Sequence, residues 1–243
     1  MKKILLIDIS NSFTKVGLAV SGSISHLKRL STPSLTAAKL RALAPYKDLD
    51  GVVLSSVVPS KDSEVQSAFG KVLKVTARLD LGVVIDYPSP RTIGGDRLAN
   101  AAACVALHGF PGIVVDFGTA VTFDVISSKG AYIGGVIAPG LNAMTGYLHD
   151  RTALLPHIKL REPDSAIGRS TRDAMLSGAV HGYRGLVKEI LTQICSEAFL
   201  EKRPLILATG GDAALIARQI GLFDTVDPLL TLRGLLVIGQ RNL

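Results

Sequence analysis

Asp116 closes an apolar run, Ile113 to Val115, and is followed by a Gly118-Thr119 turn and a second apolar run from Ala120 to Ile126. An acid at the end of a buried strand, beside a glycine-bearing turn, suits phosphate and metal work. The glycine lets backbone N–H groups approach an anion, and the acid can hold a cation. An ordinary hairpin with a polar turn has the same letters. Asp8 repeats the layout: Ile4 to Ile7 end in Asp8, Ser10-Asn11-Ser12 turn, and a second strand follows around Lys15 to Val20. A third run, Gly94-Gly95-Asp96-Arg97, places an acid at a helix start, where the positive end of the helix dipole favours an anion. Arg97 adds a fork of donors for a carboxylate or phosphate. The pair reads as a base beside an anion clamp, and equally as a helix-start acid with a surface charge.

The elements that must position these residues occur twice. Asp8 aligns with Asp116 at the same offset as Ser10 with Gly118, Ser12 with Ala120 and Gly17 with Val125. A third strand follows each hairpin, Ser23 to Leu30 and Ala131 to Ala138, then a helix, then a strand ending in small residues, VVLSS (52–56) and LILATGG (205–211). This is a repeat at domain scale. Residues 1–110 and 111–243 are expected as two similar domains of an α/β fold, joined at 110–112, with a ligand in the cleft between them.

Between these landmarks the pattern predicts helices over Ser34–Ala44, Asp62–Leu73 and Asp96–Gly109, a strand over Gly51–Val58, and a short buried strand over Leu81–Ile85. In the second half, Pro139 and Gly140 open a helix reaching Arg151. Ser170-Thr171-Arg172-Asp173 resembles a capping box and opens a long helix, broken near Gly182–Gly185 and ending near Phe199. A strand over Leu205–Ala208, a helix from Asp212 and a last helix over Leu229–Gln240 complete the chain.

Composition narrows the classes. The hydrophobic fraction is 47 %, ample for buried cores, and the formal charge is +7. Residues 1–110 hold 14 basic and 8 acidic residues, against 13 and 12 in 111–243. Without a dense Lys/Arg block, and with 5 % aromatics, a mild anion preference fits better than a nucleic-acid groove. Asp8 cuts the apolar run after Lys3 too short for a signal peptide. No stretch has the length of a membrane span. Cys104 and Cys195 lack metal-ligand spacing and read as core residues in a reducing cytoplasm. The five histidines form no recognisable pair.

Taken together, DISNSFTK (8–15), Tyr87 followed by GGDR (94–97), DFGTA (116–120), GGVIAPG (134–140), IGRST (167–171) and TGG (209–211) resemble the type III pantothenate kinases. That family lies in the superfamily of sugar kinases, actin and the Hsp70 ATPase domain, and the resemblance covers nearly the whole chain. It implies two actin-like (ribonuclease H-like) domains and ATP-dependent phosphorylation of pantothenate to 4′-phosphopantothenate, the first step towards coenzyme A. By that resemblance Asp8, Ile9, Ser10, Asn11, Ser12, Phe13, Thr14 and Lys15 wrap the ATP phosphates, and Asp8 reaches magnesium directly or through water. Thr119 becomes a further ATP contact. Tyr87, Gly94, Gly95, Asp96, Arg97 and Thr171 hold pantothenate, with Asp96 the proton acceptor. Asp116 resembles the ligand of a monovalent cation, potassium or ammonium. A homodimer is implied, with the pantothenate pocket near its interface.

The chain departs from the family pattern at Ser10, where glycine is usual, at Ser12 for threonine and at Gly95 for alanine. Ser10 adds a side chain where backbone N–H groups should approach phosphate. It motivates a rival, a non-catalytic binding protein on the same scaffold. A kinase of another small alcohol is the third reading. Retention of Asp8, Asp96 and Asp116 speaks against the former, and Tyr87 with Asp96-Arg97 against the latter.

Overall fold

Ile4 to Ile7 form a continuous apolar run because the strand they build is covered on both faces, and all four are 2 % exposed or less. The structure is a computed structural model that describes residues 2–43 and 48–243. In chain order the first elements are β1 (Lys3–Ile9), β2 (Phe13–Val20), β3 (Ser23–Ser31), α1 (Ala37–Leu43), β4 (Gly51–Ser56), α2 (Asp62–Phe69), β5 (Leu73–Lys74), β6 (Val84–Ile85) and α3 (Gly95–Ala103). There follow β7 (Gly112–Phe117), β8 (Ala120–Ile126), β9 (Ala131–Pro139), α4 (Leu141–Arg151), α5 (Thr171–Ala198), β10 (Leu205–Gly210), α6 (Ala213–Ala217), β11 (Thr225–Val226) and α7 (Leu230–Asn242).

By its contacts the chain divides into two units. One comprises Met1–Gly109, Gly130–Gly134 and Leu229–Leu243, the other Phe110–Lys129 and Gly135–Pro228. The first unit's sheet has the order β3-β2-β1-β4-β5, with β2 antiparallel and β4 parallel to β1. In the second the order is β9-β8-β7-β10-β11, with β8 antiparallel and β10 parallel to β7. The internal repeat is therefore a repeat of strand order as well as of letters. The opening residues of β9 group with the first unit, where Ala131 and Tyr132 pair with β6.

The last helix was expected with residues 111–243, and α7 instead groups with the first unit. Glycines allow this. A Cβ on Gly234 would overlap the backbone carbonyl of Ala99 on α3, and one on Gly239 would lie 2.8 Å from a Val53 methyl on β4. A buried hydrogen bond from the Thr231 hydroxyl to Asn100 Oδ1, 2.9 Å, fixes the same contact. On the other face of this sheet Leu5, Ile7, Val52 and Leu54 pack with Leu35, Leu40 and Val65 from the α1 and α2 regions.

Four element expectations change. The helix after Ser34 starts at Ala37, because the Thr36 hydroxyl accepts from Lys39 N and serves as its cap. Its expected end at Ala44 lies outside the described residues. Helix α2 stops at Phe69, since Gly70 turns away at φ +74°, and Leu73 enters β5 instead. Only Val84 and Ile85 of the expected buried strand are extended, and Val84 is 68 % exposed. Helix α5 runs unbroken for 28 residues through Gly182 and Gly185, held by the buried side chains of Val180, Tyr183, Arg184 and Val187.

Candidate functional site

In the first unit Asp8 lies on β1 and is 3 % exposed. Its register partners are Lys15 on β2 and Ser55 on β4, so one row across the sheet reads Lys15, Asp8, Ser55. Registered residues point to the same face. The turn between the strands is tied down from below. Ser10 N donates to Phe13 O, Thr32 N donates to Ser12 O at 3.1 Å, and the Thr32 hydroxyl donates to Ser10 O at 2.7 Å. Thr14, fully buried, shares a hydroxyl–hydroxyl bond of 2.9 Å with Thr32. Asn11, Ser12 and Phe13 are exposed and Ser10 and Lys15 half-buried, whereas Ile9 is core. The Arg29 guanidinium stacks 3.4 Å above the Phe13 ring centroid. Among non-glycine residues described, φ is positive at Ser21, His26 and Asp48. Ser10 therefore holds an ordinary backbone conformation, and serine is accommodated there without left-handed strain.

The Gly94–Arg97 run sits where the sequence places it, with Gly94 as N-cap and Gly95 as the first residue of α3. Asp96 Oδ1 accepts from Arg97 N at 2.8 Å, which fixes the carboxylate at the open helix end. The glycines permit close approach: a Cβ on Gly94 would lie 2.5 Å from Asp96 Oδ1, and one on Gly95 3.3 Å from the Ser55 hydroxyl. Tyr87 and Arg97 meet through a residue the sequence did not single out, Tyr132. Its ring packs edge-on against Tyr87 with centroids 6.1 Å apart, and Arg97 Cζ lies 5.7 Å from its centroid. Gly134, at φ +133°, faces the Tyr87 ring.

In the second unit Asp116 lies one residue inside the end of β7. Its row reads Thr122 on β8, Asp116, Thr209 on β10. Gly118 N donates to Ala120 O at 3.1 Å and closes the turn that exposes Thr119. Gly140 N donates to Thr119 O, and any side chain at Gly140 would overlap the Gly118 and Thr119 carbonyls. Helix α4 thus starts against this turn because residue 140 has no Cβ. Gly210 closes on Asp116 in the same way from β10.

Thr171 is the first residue of α5. The Ser170 hydroxyl caps that helix, accepting from Asp173 N at 3.2 Å and donating to Asp173 Oδ2 at 2.7 Å. Asp173 thus stands in for the usual Glu or Gln, although it takes the hydroxyl rather than the cap's backbone N–H. Thr171 lines an apolar cavity of about 810 Å³ with Pro139, Met144, Tyr147, Leu148 and Met175. Tyr183 donates from its hydroxyl to Pro139 O, and burial pushes its pKa up. Gly168 is required in the loop before α5, since a Cβ there would collide with the Ala174 backbone.

That loop is anchored by a pair the sequence did not reveal. Arg184, 9 % exposed, grips Glu162 with two bonds of 2.8 and 2.6 Å and the Leu215 carbonyl with a third. The Arg184 guanidinium holds the Glu162 carboxyl below the usual range. The histidines, unpaired on sequence, include one pair in space: the His149 and His157 rings meet edge-on at 5.7 Å. Among the described residues no group of three or more His, Cys, Asp or Glu gathers as a metal cluster, and no helix is long and apolar enough to cross a membrane. Cys104 is buried and Cys195 half-buried, and neither is in a disulfide among the described residues.

A family model described as type III pantothenate kinase matches residues 4–193. A protein named type III pantothenate kinase from Akkermansia muciniphila is 49 % identical over 243 residues, covering 98 % of this chain and 99 % of the relative. One of the same name from Methylacidiphilum infernorum is 43 % identical over 237 residues, covering 97 % and 88 %. The crystal structure of a ROK family glucokinase from Streptomyces griseus, in complex with glucose and AMPPNP, superposes with a TM-score of 0.52 at 13 % identity, covering 98 % of this chain and 99 % of that one. At that identity the likeness is one of fold, that of the actin-like ATPases and sugar kinases. Matched by the family model over most of its length, the chain belongs to the type III pantothenate kinases.

Proposed function

We propose that this protein phosphorylates pantothenate with ATP to give 4′-phosphopantothenate. The observation that carries the reading is Asp96, held by Arg97 N at the open start of α3 and preceded by two glycines, in a chain of this family. Phosphoryl transfer asks the protein mainly for positioning and charge neutralisation. The acceptor hydroxyl oxygen attacks the γ-phosphorus, the bond from phosphorus to the ADP oxygen breaks, and the hydroxyl proton passes to the Asp96 carboxylate. Arg97 orients the acceptor through its carboxylate, with Tyr87, Gly94, Gly95 and Thr171 as further contacts. The 8–15 turn and Thr119 hold ATP.

Two ions belong to this reading. Asp8 and Asp116 offer hard carboxylate oxygens beside buried hydroxyls, a donor set that suits magnesium and potassium or ammonium rather than softer metals. When bound, they supply positive charge against the phosphates.

The rival binding-protein reading drew on the Ser10 side chain. The backbone there is not left-handed, so serine adds no conformational strain, and retention of Asp8, Asp96 and Asp116 favours the kinase. We further assign a homodimer in a reducing cytoplasm. The apolar cavity between α4 and α5, with Tyr147 65 % and Leu148 38 % exposed on it, supports self-association. One experiment tests the main reading: turnover with ATP, magnesium, potassium and pantothenate, beside a panel of other small alcohols. Transfer to pantothenate above the panel is expected. Equal or better transfer to another alcohol would refute it.

A further inference from the structure

In each unit the strand parallel to the acid-bearing strand places a hydroxyl in register with the acid: Ser55 with Asp8, and Thr209 with Asp116. Neighbouring strands lie about 4.8 Å apart and registered side chains share a face, so each hydroxyl stands beside its carboxylate. Both residues are 0 % exposed. Neither Ser55 Oγ nor Thr209 Oγ1 has a hydrogen-bond partner among the described residues.

Leaving a hydroxyl buried and unpaired costs about 1–3 kcal/mol. Alanine or valine would avoid that cost, and the residues just before each are apolar and buried, Val52 to Leu54 and Ile206 to Ala208. The same cost is carried twice, at equivalent places of the repeat and next to the two acids. That pattern points to a partner that arrives with a ligand. An apolar ligand would leave the hydroxyl unpaired, and an anion would be repelled by the carboxylate. A cation, with its hydration water, satisfies both groups through oxygen.

We propose that Thr209 and Ser55 are ligand residues of the cation sites at Asp116 and Asp8, each hydroxyl holding the ion or its water beside the carboxylate. The proposal rests on the reading of those two aspartates as cation sites. It adds a second protein oxygen to each, from a strand far from the acid in sequence.

Thermal unfolding of the full chain tests the Thr209 half, with potassium chloride titrated against choline chloride at constant ionic strength. Ligand binding to the folded state raises Tm without a plateau, logarithmically once the ligand exceeds its Kd, so the concentration at which the rise sets in reports affinity. Thr209→Val keeps the shape and removes the hydroxyl. It should move the potassium concentration at which Tm begins to rise about threefold to tenfold higher, while Thr209→Ser keeps the wild-type onset. In choline alone Thr209→Val should unfold at the same temperature as wild type or higher, because no internal bond is lost. A wild-type potassium shift that Thr209→Val leaves unmoved overturns the proposal alone. A wild type without any potassium shift overturns the reading of Asp116 and this half of the proposal with it. For Ser55, manganese is the probe, its free concentration read by electron paramagnetic resonance in the presence of a non-hydrolysable ATP analogue. Ser55→Ala should weaken manganese binding about threefold to tenfold, and unchanged binding overturns that half.

Discussion

Gly210 stands against Asp116: a Cβ placed on Gly210 lies 2.6 Å from Asp116 Oδ1 and 2.5 Å from the Phe117 backbone nitrogen. Its φ is +97°, a conformation L side chains rarely adopt. The Thr-Gly-Gly run is therefore a way of bringing β10 onto the carboxylate, besides any role towards nucleotide. Gly210→Ala must shift the backbone or displace the carboxylate, and strain of this kind costs about 1–3 kcal/mol. Chemical denaturation should show a loss of that order, together with a weaker potassium response. Gly211, whose Cβ would meet nothing within 4 Å, is the control, and Gly211→Ala should leave both nearly unchanged.

Ser10→Gly is expected to do little. The turn is closed by Ser10 N on Phe13 O and by Thr32 on the Ser10 carbonyl, with no left-handed φ to relieve. The KM for ATP should stay within about threefold of wild type, since neither a main-chain contact nor strain is removed. A large fall in that KM would mean that the serine side chain itself obstructs phosphate.

The fold was legible because both halves carry the same hairpin and the same later strand, and a repeat of letters became a repeat of strand order. What escaped depends on which backbones come close. Gly234 announces a close approach, yet nothing in its neighbourhood names Ala99 as the partner. The site aspartates stood out by their place before polar turns. Ser55 and Thr209 did not, because strand register, not sequence spacing, sets them beside Asp8 and Asp116. Tyr132 and the Arg184–Glu162 pair were hidden for the same reason.

Glu162 gives a pH signature. Arg184 holds its carboxyl below the ordinary value of 4.5, so the folded state binds this proton less readily than the unfolded chain. The stabilisation is fully present above that ordinary value and is lost as pH falls through the lower folded value. Thermal unfolding of wild type and Glu162→Gln should therefore differ most at neutral pH, wild type being the more stable. The gap should close below about pH 4.5 as the folded carboxyl takes up its proton. A gap independent of pH would show that the difference does not arise from the ionisation of Glu162. Because Glu162 lies about half exposed at 46 %, the difference should also shrink in high salt.

Asp96 and Arg97 should separate in kinetics. Asp96 is held by a main-chain donor at the start of α3, so Asp96→Asn keeps that bond through its side-chain oxygen and keeps the geometry. Asparagine can accept the hydroxyl's hydrogen bond but cannot usefully take its proton. Removing a general base costs roughly 10²–10⁴ in rate, and kcat should fall by about that much with a smaller change in the KM for pantothenate. Arg97 also lies 5.7 Å from the Tyr132 centroid, so its fork is braced by a ring that in turn packs on Tyr87. Arg97→Ala removes a contact made before and during transfer, and should act mainly on the pantothenate KM. Tyr132→Leu leaves the charge and removes the brace, so it should raise that KM by less than Arg97→Ala does. If Asp96→Asn keeps kcat within about tenfold of wild type, Asp96 is not the base. Transfer would then proceed without one, as a loose, dissociative transition state allows.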